Sequence, residues 1–360
     1  MGQRTKTLLL IALPVQILLV LWLGSRPDLV EDHYSNGLYP CISKFLGTLL
    51  GWIPFSMGDL LYTGLALWAL RYLYKNRKII PKRPLSFAKD VLVACSLVYF
   101  AFHLLWGMNY YRQPITWKFG ISREYSLSDL VEFTEYLARR TNGLQREITG
   151  DSLSPVSLPY TKAEIYEITG RAYGEMAREH PFFKYDRPSI KSSLYSTALT
   201  YMGYSGYLNP FTNEAHVNAR VPRFRIPSIS AHEVGHQLGY SAEDATNFIG
   251  YLVSSGSSDP YFRYAAYSHA LGYCLGDLYN RDRDRYELIL AGLNPGVRKN
   301  YAEVTNFWKK YQNPLEPLFK AVFNTFLKVN NQKEGIKSYN SVVGLMINHQ
   351  KQLVEGRDKL

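Results

Sequence analysis

Cysteine is scarce in this chain of 360 residues, which contains only Cys41, Cys95 and Cys274. Three cysteines do not make a disulfide framework, so the pattern excludes a small disulfide-stabilised scaffold. Internal repeats and low-complexity segments are also missing. Apolar residues make up 46% of the chain and aromatic residues 14%, so a substantial hydrophobic core is available.

Acidic residues are outnumbered by basic ones, 30 to 41, which gives a formal net charge of +11. Such a charge would suit nucleic acid, but its distribution argues otherwise. The densest basic run, Lys75 to Arg83, lies between two apolar segments, as the cytoplasmic loops of membrane proteins do. We therefore expect membrane lipid as a partner and no nucleic acid.

Long apolar runs are confined to the first 112 residues. We predict three transmembrane helices there, at about residues 7–24, 59–73 and 91–111. The first run ends in Trp22 and Leu23, where a signal peptide needs small residues, so an uncleaved anchor is favoured. Residues 45–55 are too short to span. With the basic loop inside, residues 113–360 form a second domain outside the cytoplasm.

The second domain has the pattern of a mainly helical fold with a small sheet. Residues 126–140 and 161–180 predict amphipathic helices, and residues 141–159, rich in Ser, Pro and Gly, predict a connecting loop. Residues 214–218 alternate as a half-buried strand does. Residues 261–279 predict a packed helix with His269 as a core residue.

The most informative stretch is AHEVGHQLGYSAEDATNFIGYL, residues 231–252, which contains H-E-x-x-H. On a helix, His232 and His236 lie one above the other with about 6 Å of rise between them. Two neutral imidazoles so placed can bind one Zn²⁺, and Glu233 can reach the water that the ion activates. Gly239 predicts the end of this helix, because glycine adopts the left-handed cap cheaply.

Two carboxylates compete for the position of third ligand. Ser241 has the character of an N-cap, with Asp244 completing a capping arrangement, which leaves Glu243 free. We therefore predict His232, His236 and Glu243 as metal ligands. Asn247 falls one turn after Glu243, and we predict it as a hydrogen-bonding partner of a ligand.

This stretch resembles the core of the gluzincin-type membrane metallopeptidases, whose second helix carries Glu-x-x-x-Asp or Glu-x-x-x-Asn. Together with GWIPFSMGD and GYLNPFTNEAHVN, nearly the whole chain resembles a family of bacterial membrane proteins with an H-E-x-x-H motif. That family usually has Glu-Asp-Glu-Ala-Asn in the second helix. Ala245 and Thr246 stand at its last Glu and Ala here, so a ligand at 245 is not obligatory.

The resemblance implies a mainly α membrane protein whose C-terminal domain is zincin-like α+β, placed in the bacterial inner membrane with a periplasmic domain. It implies zinc-dependent hydrolysis of a peptide or protein, with Glu233 as general base. In zincins an edge strand precedes the metal helix, which places His216 by the cleft. Zincins also supply a Tyr or His to the oxyanion, and Tyr339 is the first candidate, with His216 in reserve.

A different class of function stays open, a non-hydrolytic membrane regulator or sensor that retains a zincin-like metal domain. The intact Glu233 argues against this alternative, because a purely structural metal site has no use for a base.

The positions of the basic residues predict the topology. A reporter fused at Lys78 should be cytoplasmic, and one fused after Arg112 should be extracytoplasmic, because basic loops stay inside. Paired alkaline phosphatase and green fluorescent protein fusions measure this. A cytoplasmic signal after Arg112 would contradict the arrangement of three spans.

Overall fold

The structure is a computed structural model, and it describes residues 2–185, 187–332 and 341–357. The described chain is mostly helical with one small three-stranded sheet, as predicted. It forms two compact units. Residues 1–113 and 209–214 make up the first unit, and residues 114–208 and 215–360 make up the second.

The first unit is built from helices. Its α-helices are α1 (Gln3–Gly24), α2 (Pro27–Leu29), α3 (Tyr39–Leu50), α4 (Met57–Asn76) and α5 (Pro84–Leu105). Residues Val30–Leu38 between α2 and α3 are π-helical, and 3₁₀ turns occupy Ile80–Lys82 and Gly107–Tyr111.

Two of the described helices, α1 and α5, are long and apolar enough to cross a membrane. Their mean hydropathies are 2.4 and 1.7, and most of their side chains are exposed. The remaining predicted span, 59–73, lies within α4, which has 20 residues but includes Asp59, Arg71 and Lys75. These charges make α4 less apolar than the other two helices, and the crossing of a membrane by any of the three stays a prediction.

The hexapeptide 209–214 belongs to the first unit, although the sequence had placed it in the second domain. The reason is the carboxylate of Glu214, which accepts hydrogen bonds from the backbone N–H groups of Met57 and Gly58 at 3.2 and 2.6 Å. These are unpaired donors at the start of α4, where the helix dipole favours a negative charge. Glu214 therefore caps α4.

The second unit contains eleven α-helices and three strands among the described residues. The helices are α6 (Ile115–Phe119), α7 (Leu127–Thr149), α8 (Lys162–Glu179), α9 (Ser196–Met202), α10 (Ile226–Gln237), α11 (Glu243–Ser255), α12 (Pro260–Arg281), α13 (Arg283–Ala291), α14 (Pro295–Tyr311), α15 (Glu316–Val329) and α16 (Val342–Arg357). The strands are β1 (Ile190–Ser192), β2 (Gly206–Asn209) and β3 (Glu214–Val217), and 3₁₀ turns lie at Pro181–Phe183 and Arg223–Arg225.

The two amphipathic helices predicted at the start of this unit are present as α7 and α8. Each begins with a reciprocal capping box, Ser126 with Asp129 in α7 and Thr161 with Glu164 in α8. The loop predicted from residue 141 is wrong over its first part, because α7 continues to Thr149. Its last turns bury Leu144 and Gln145, so tertiary packing outweighs the polar composition there.

The sheet has the strand order β1-β3-β2, and β1 pairs with β3 in parallel, with Ile190 opposite Ala215. The strand predicted at 214–218 is present as β3, but it is neither an edge strand nor half-buried. It lies between the other two strands, and all four of its residues are buried. The two edge strands are β1 and β2.

The core of the second unit surrounds α10 to α12. Helices α10 and α11 pack against each other, α12 packs on both and on α7, and α8 covers α10 and α11. Val234, Phe248 and Leu271 are completely buried at these contacts. Burying such side chains stabilises the fold by about 1.5–3 kcal/mol each, so α10 and α11 are held rigidly.

Candidate metal centre

The H-E-x-x-H sequence occupies the C-terminal half of α10. The helix ends at Gln237, and Gly239 follows in the left-handed conformation with φ of 83°, as predicted. Its N–H group bonds the carbonyl oxygen of His236 at 2.9 Å. The chain then turns and α11 begins at Glu243, which brings this residue back toward the histidines.

Close packing of α10 and α11 depends on Gly250. A Cβ atom at this position would lie 3.2 Å from the backbone N of His232 and 3.3 Å from the carbonyl oxygen of Ser228. Any larger residue would separate the two helices. Glycine thus allows a side chain of α11 to reach those of α10.

The start of α11 differs from the capping arrangement predicted for it. Ala242, rather than Ser241, is the N-cap, and no side chain bonds the first turn from that position. Asp244 instead pairs with Arg123, whose Nε and Nη2 lie 2.8 and 2.7 Å from Oδ2. Asp244 is occupied by this ion pair, which leaves Glu243 as the carboxylate that faces the histidines.

Three side-chain atoms converge between the two helices. Oε2 of Glu243 lies 3.3 Å from Nε2 of His232 and 3.8 Å from Nε2 of His236. The candidate ligand atoms of His232, Glu233 and His236 all lie within 4.8 Å of one another. Ligands of a tetrahedral zinc ion are separated by about 3.4 Å, so His232, His236 and Glu243 have a fitting arrangement.

Hydrogen bonds orient both imidazoles. Nδ1 of His236 lies 2.7 Å from the carbonyl oxygen of Tyr240, and Nδ1 of His232 lies 2.9 Å from Oδ1 of Asn247. A carbonyl oxygen only accepts, so each Nδ1 donates, and in the neutral form of each imidazole the lone pair is therefore on Nε2. The structure therefore brings Asn247 to the metal-ligand candidate His232, and Nε2 is the atom that can bind an ion.

Burial sets the protonation of the cluster. It lowers the pKa of His236 to about 4, although the charge of Glu243 acts in the opposite direction. For His232, burial also acts to lower the pKa, but its hydrogen bond to Glu243 and the charges of Glu233 and Glu243 outweigh burial and raise it. Neutral His236 is the form that binds a metal ion.

The side chain of Glu233 is buried beside this cluster, and its carboxyl group makes no hydrogen bond to a described residue. Burial raises the pKa of its carboxyl group to about 8, with the charge of His232 lowering it and that of Glu243 raising it. A buried carboxyl group without a partner is unfavourable, and such groups occur most often at functional sites.

The edge strand β2 passes directly over Glu233. A Cβ atom at Gly206 would lie 2.5 Å from Oε1 of Glu233 and 2.6 Å from the carbonyl oxygen of His216. Only glycine permits this approach. The position of Gly206 beside the carboxylate is not predictable from the local sequence, because it follows from the packing of the sheet on α10.

The remaining predicted site residues have different outcomes. His216 is fully buried on β3, with its ring 4.5 Å from that of Tyr207. Its placement on an edge strand is wrong, since β3 is the central strand, and a catalytic role for it stays a prediction. Tyr339 lies outside the described residues, so its role also stays a prediction.

The sequence missed a small cavity next to the cluster. His232 and Asn247 line it together with His269 and Tyr273 of α12, and its volume is about 10 Å³, room for one water molecule. Gly250, Ala266 and Ala270 are also part of its wall. The sequence predicts His269 as a core residue. Its spacing of one helical turn from Tyr273 on α12 is the sequence signal that could have indicated a polar wall at this position.

The fold and the site define a mostly helical protein with a buried histidine and glutamate cluster between two packed helices. The chain belongs to the family described as "Protein of unknown function (DUF3810)", whose model matches residues 34–347. No curated protein and no solved structure matches it.

The raised pKa of Glu233 predicts a pH-dependent stability of the metal-free chain. The group has a pKa of 4.5 when exposed and about 8 when folded, so between these values only the native state holds the proton. The protonated carboxyl group therefore contributes to the stability of the native state at low pH. This contribution is lost progressively as the pH rises from 4.5 to about 8. Glu233→Gln should therefore gain melting temperature relative to wild type from about pH 5 to about pH 8, by several degrees.

Melting of the purified full-length chain in a chelator measures this difference. Subtracting wild type from variant at each pH removes the opposite contribution of His236. Glu167→Gln, an exposed carboxylate on α8, is the control and should follow wild type. A Glu233→Gln difference that is constant with pH would contradict the raised pKa.

Proposed function

We propose that this protein is a membrane-anchored, zinc-dependent peptidase. The proposal is supported above all by the position of Oε2 of Glu243. This atom lies 3.3 Å from Nε2 of His232 and 3.8 Å from Nε2 of His236. Two imidazoles and one carboxylate form the donor set of many catalytic zinc sites, which keep a further position open. The resemblance to gluzincin-type metallopeptidases agrees with this set.

The residues of the chain have separate roles in the proposed reaction. When bound, zinc lowers the pKa of a water molecule toward about 7 and polarises the scissile carbonyl group. Asn247 and the Tyr240 carbonyl hold the two histidines in the tautomer that presents Nε2. Glu243 supplies the negative charge of the ligand set.

Glu233 is the proposed general base. It accepts the proton of the attacking water and then delivers it to the amine that leaves. Its carboxylate makes no hydrogen bond to a described residue, so nothing within the described ranges competes for the proton. A metal site that only stabilised the fold would gain nothing from a buried, unbonded carboxyl group, which favours hydrolysis over a non-hydrolytic sensor.

We further propose that the first unit anchors the protein in the bacterial inner membrane as a multi-pass domain, with the second unit in the periplasm. Helices α1 and α5 supply two candidate spans, and α4 is long enough to be the third, at about 30 Å. An odd number of spans places Lys75–Arg83 in the cytoplasm and everything after Arg112 outside. The substrates are then peptides or proteins of the envelope.

The metal ligands can be tested by exchanging the two neighbouring carboxylates. The full-length chain should bind one zinc ion, and His232→Ala or His236→Ala should abolish binding. Glu243→Ala should weaken zinc affinity by at least about 100-fold, and Asn247→Ala by about 10- to 100-fold. Asp244→Ala should keep zinc, because this residue pairs with Arg123.

Metal content by mass spectrometry and affinity by competition with a chromophoric chelator measure these effects. Asp244→Ala is the matched control, since it removes an adjacent carboxylate from the same helix turn. Equal losses of zinc in Glu243→Ala and Asp244→Ala would overturn the assignment of Glu243.

Catalysis can be tested in cells with Glu233→Gln, which keeps the size of the side chain and removes the base. We expect envelope proteins or peptides that the wild type cleaves to accumulate uncut in the variant, because general-base catalysis contributes about 10²- to 10⁴-fold to the rate. Proteomics of newly formed peptide termini in the envelope fraction detects the difference. Glu167→Gln again serves as control, and identical terminal profiles for Glu233→Gln and wild type would contradict hydrolysis.

A further inference from the structure

Arg225 is a half-buried arginine of the second unit that has no partner among the described residues. Among arginines whose side chains the structure describes, Arg112, Arg225 and Arg263 are not exposed. Arg112 pairs with Glu31 and Arg263 pairs with Glu147. The guanidinium group of Arg225 makes no ion pair and no hydrogen bond with a described residue.

The position of Arg225 connects it to the metal centre. It is the residue immediately before α10, and its backbone is already helical. Seven residues, about two turns, separate it from His232, so the two side chains leave the same face of the helix about 10 Å apart along the axis. Ser228, one turn after Arg225 on this face, lines the cavity beside His232.

Helix α12 forms the wall opposite this face. The 3₁₀ turn that ends at Arg225 and helix α10 both pack on α12. There His269 and Tyr273 stack with ring centroids 4.9 Å apart, and both line the cavity with His232. The charges of Arg225 and His232 both act on His269, whose pKa burial and these two charges hold well below its usual value. His269 is therefore neutral, and Arg225 is the cation of this wall.

The described groups that act on the guanidinium group of Arg225 are two phenols, and no carboxylate is among them, although the charge of Glu243 does reach Tyr273. The charge of Arg225 acts on the hydroxyl groups of Tyr273 and Tyr301. Burial raises the pKa of Tyr273 to about 12, so this hydroxyl keeps its proton. Tyr301 donates to the carbonyl oxygen of Ser268, whereas the hydroxyl of Tyr273 bonds no described residue.

A half-buried cation that faces phenols and a neutral imidazole is less favourable than one paired with an anion. The guanidinium group has a planar array of donors that matches the two oxygens of a carboxylate. We propose that Arg225, with Tyr273, forms a carboxylate-binding subsite beside the metal centre, and that it binds a carboxylate of the peptide substrate. This inference rests on the proposed function, and it names the substrate class as peptides with a free carboxylate near the cleaved bond.

Three probes that differ in one group test the subsite. They are N-acetyl-trialanine with a free C-terminus, the same peptide as its C-terminal amide, and N-acetyl-Ala-Glu-Ala amide. Alanine is chosen because its side chain carries no charge and no hydrogen-bonding group, so the three probes differ only in their carboxylate. Binding to the purified full-length, metal-free chain is measured by ligand-detected NMR, so no peptide is hydrolysed during the experiment.

We expect one of the two acidic probes to bind about 10- to 100-fold more tightly than the trialanine amide, the range for hydrogen bonds to a charged group. The preferred probe tells whether the carboxylate is the C-terminus or a side chain. Arg225→Met should abolish the preference, Arg225→Lys should reduce it, and Tyr273→Phe should weaken it. Arg263→Met, which removes the other non-exposed arginine of this unit, should leave it unchanged.

The unliganded variants supply a second readout. Because Arg225 makes no bond with a described residue, Arg225→Met should melt at or above the temperature of wild type, whereas an arginine needed for the fold would melt lower when replaced. Equal binding of all three probes, or a preference that survives in Arg225→Met, would overturn the subsite.

The two proposals can fail separately. Cleavage of envelope substrates without any preference for a carboxylate would leave the peptidase and remove the subsite. A carboxylate preference in the metal-free chain without any effect of Glu233→Gln on the envelope would leave the subsite and remove the peptidase.

Discussion

The close contact between α10 and α11 is the constraint on which the site depends. Helices usually pack with their axes about 8–10 Å apart, which leaves room for side chains between them. At Gly250 the backbone itself approaches His232, and Oε2 of Glu243 can then lie 3.3 Å from Nε2 of that residue. The short distances between Glu243 and the two histidines are a consequence of this backbone contact.

The same packing sets the chemistry of the cluster. Because Glu233 and His236 are buried between elements that exclude water, burial moves the pKa of the carboxyl group up to about 8 and that of the imidazole down to about 4. Both shifts favour the neutral forms. A cation between the two helices would favour the ionised carboxylate of Glu233, so the binding of a metal ion would be coupled to the ionisation of this group.

Several parts of the site were predictable because they are local in sequence. The spacing of His232 and His236 follows from helical periodicity, and the end of α10 follows from Gly239. The amphipathic helices α7 and α8 were predictable in the same way. Glu243 was reached by assigning Asp244 to a cap, whereas the structure occupies Asp244 with Arg123. That partner is far away in sequence and could not be predicted.

Three features follow from the local sequence alone: the mostly helical character of the chain, the two long apolar helices near its start, and the histidine pair on one helix face. These properties depend on residues within about 20 positions of one another, because periodicity and capping act through local hydrogen bonds and local burial. Three other features follow only from tertiary packing: the central position of β3, the approach of Gly206 to Glu233, and the position of Arg225 beside α12 without a partner among the described residues. Each of these depends on which surfaces pack together, and burial of distant surfaces leaves no mark in the local pattern.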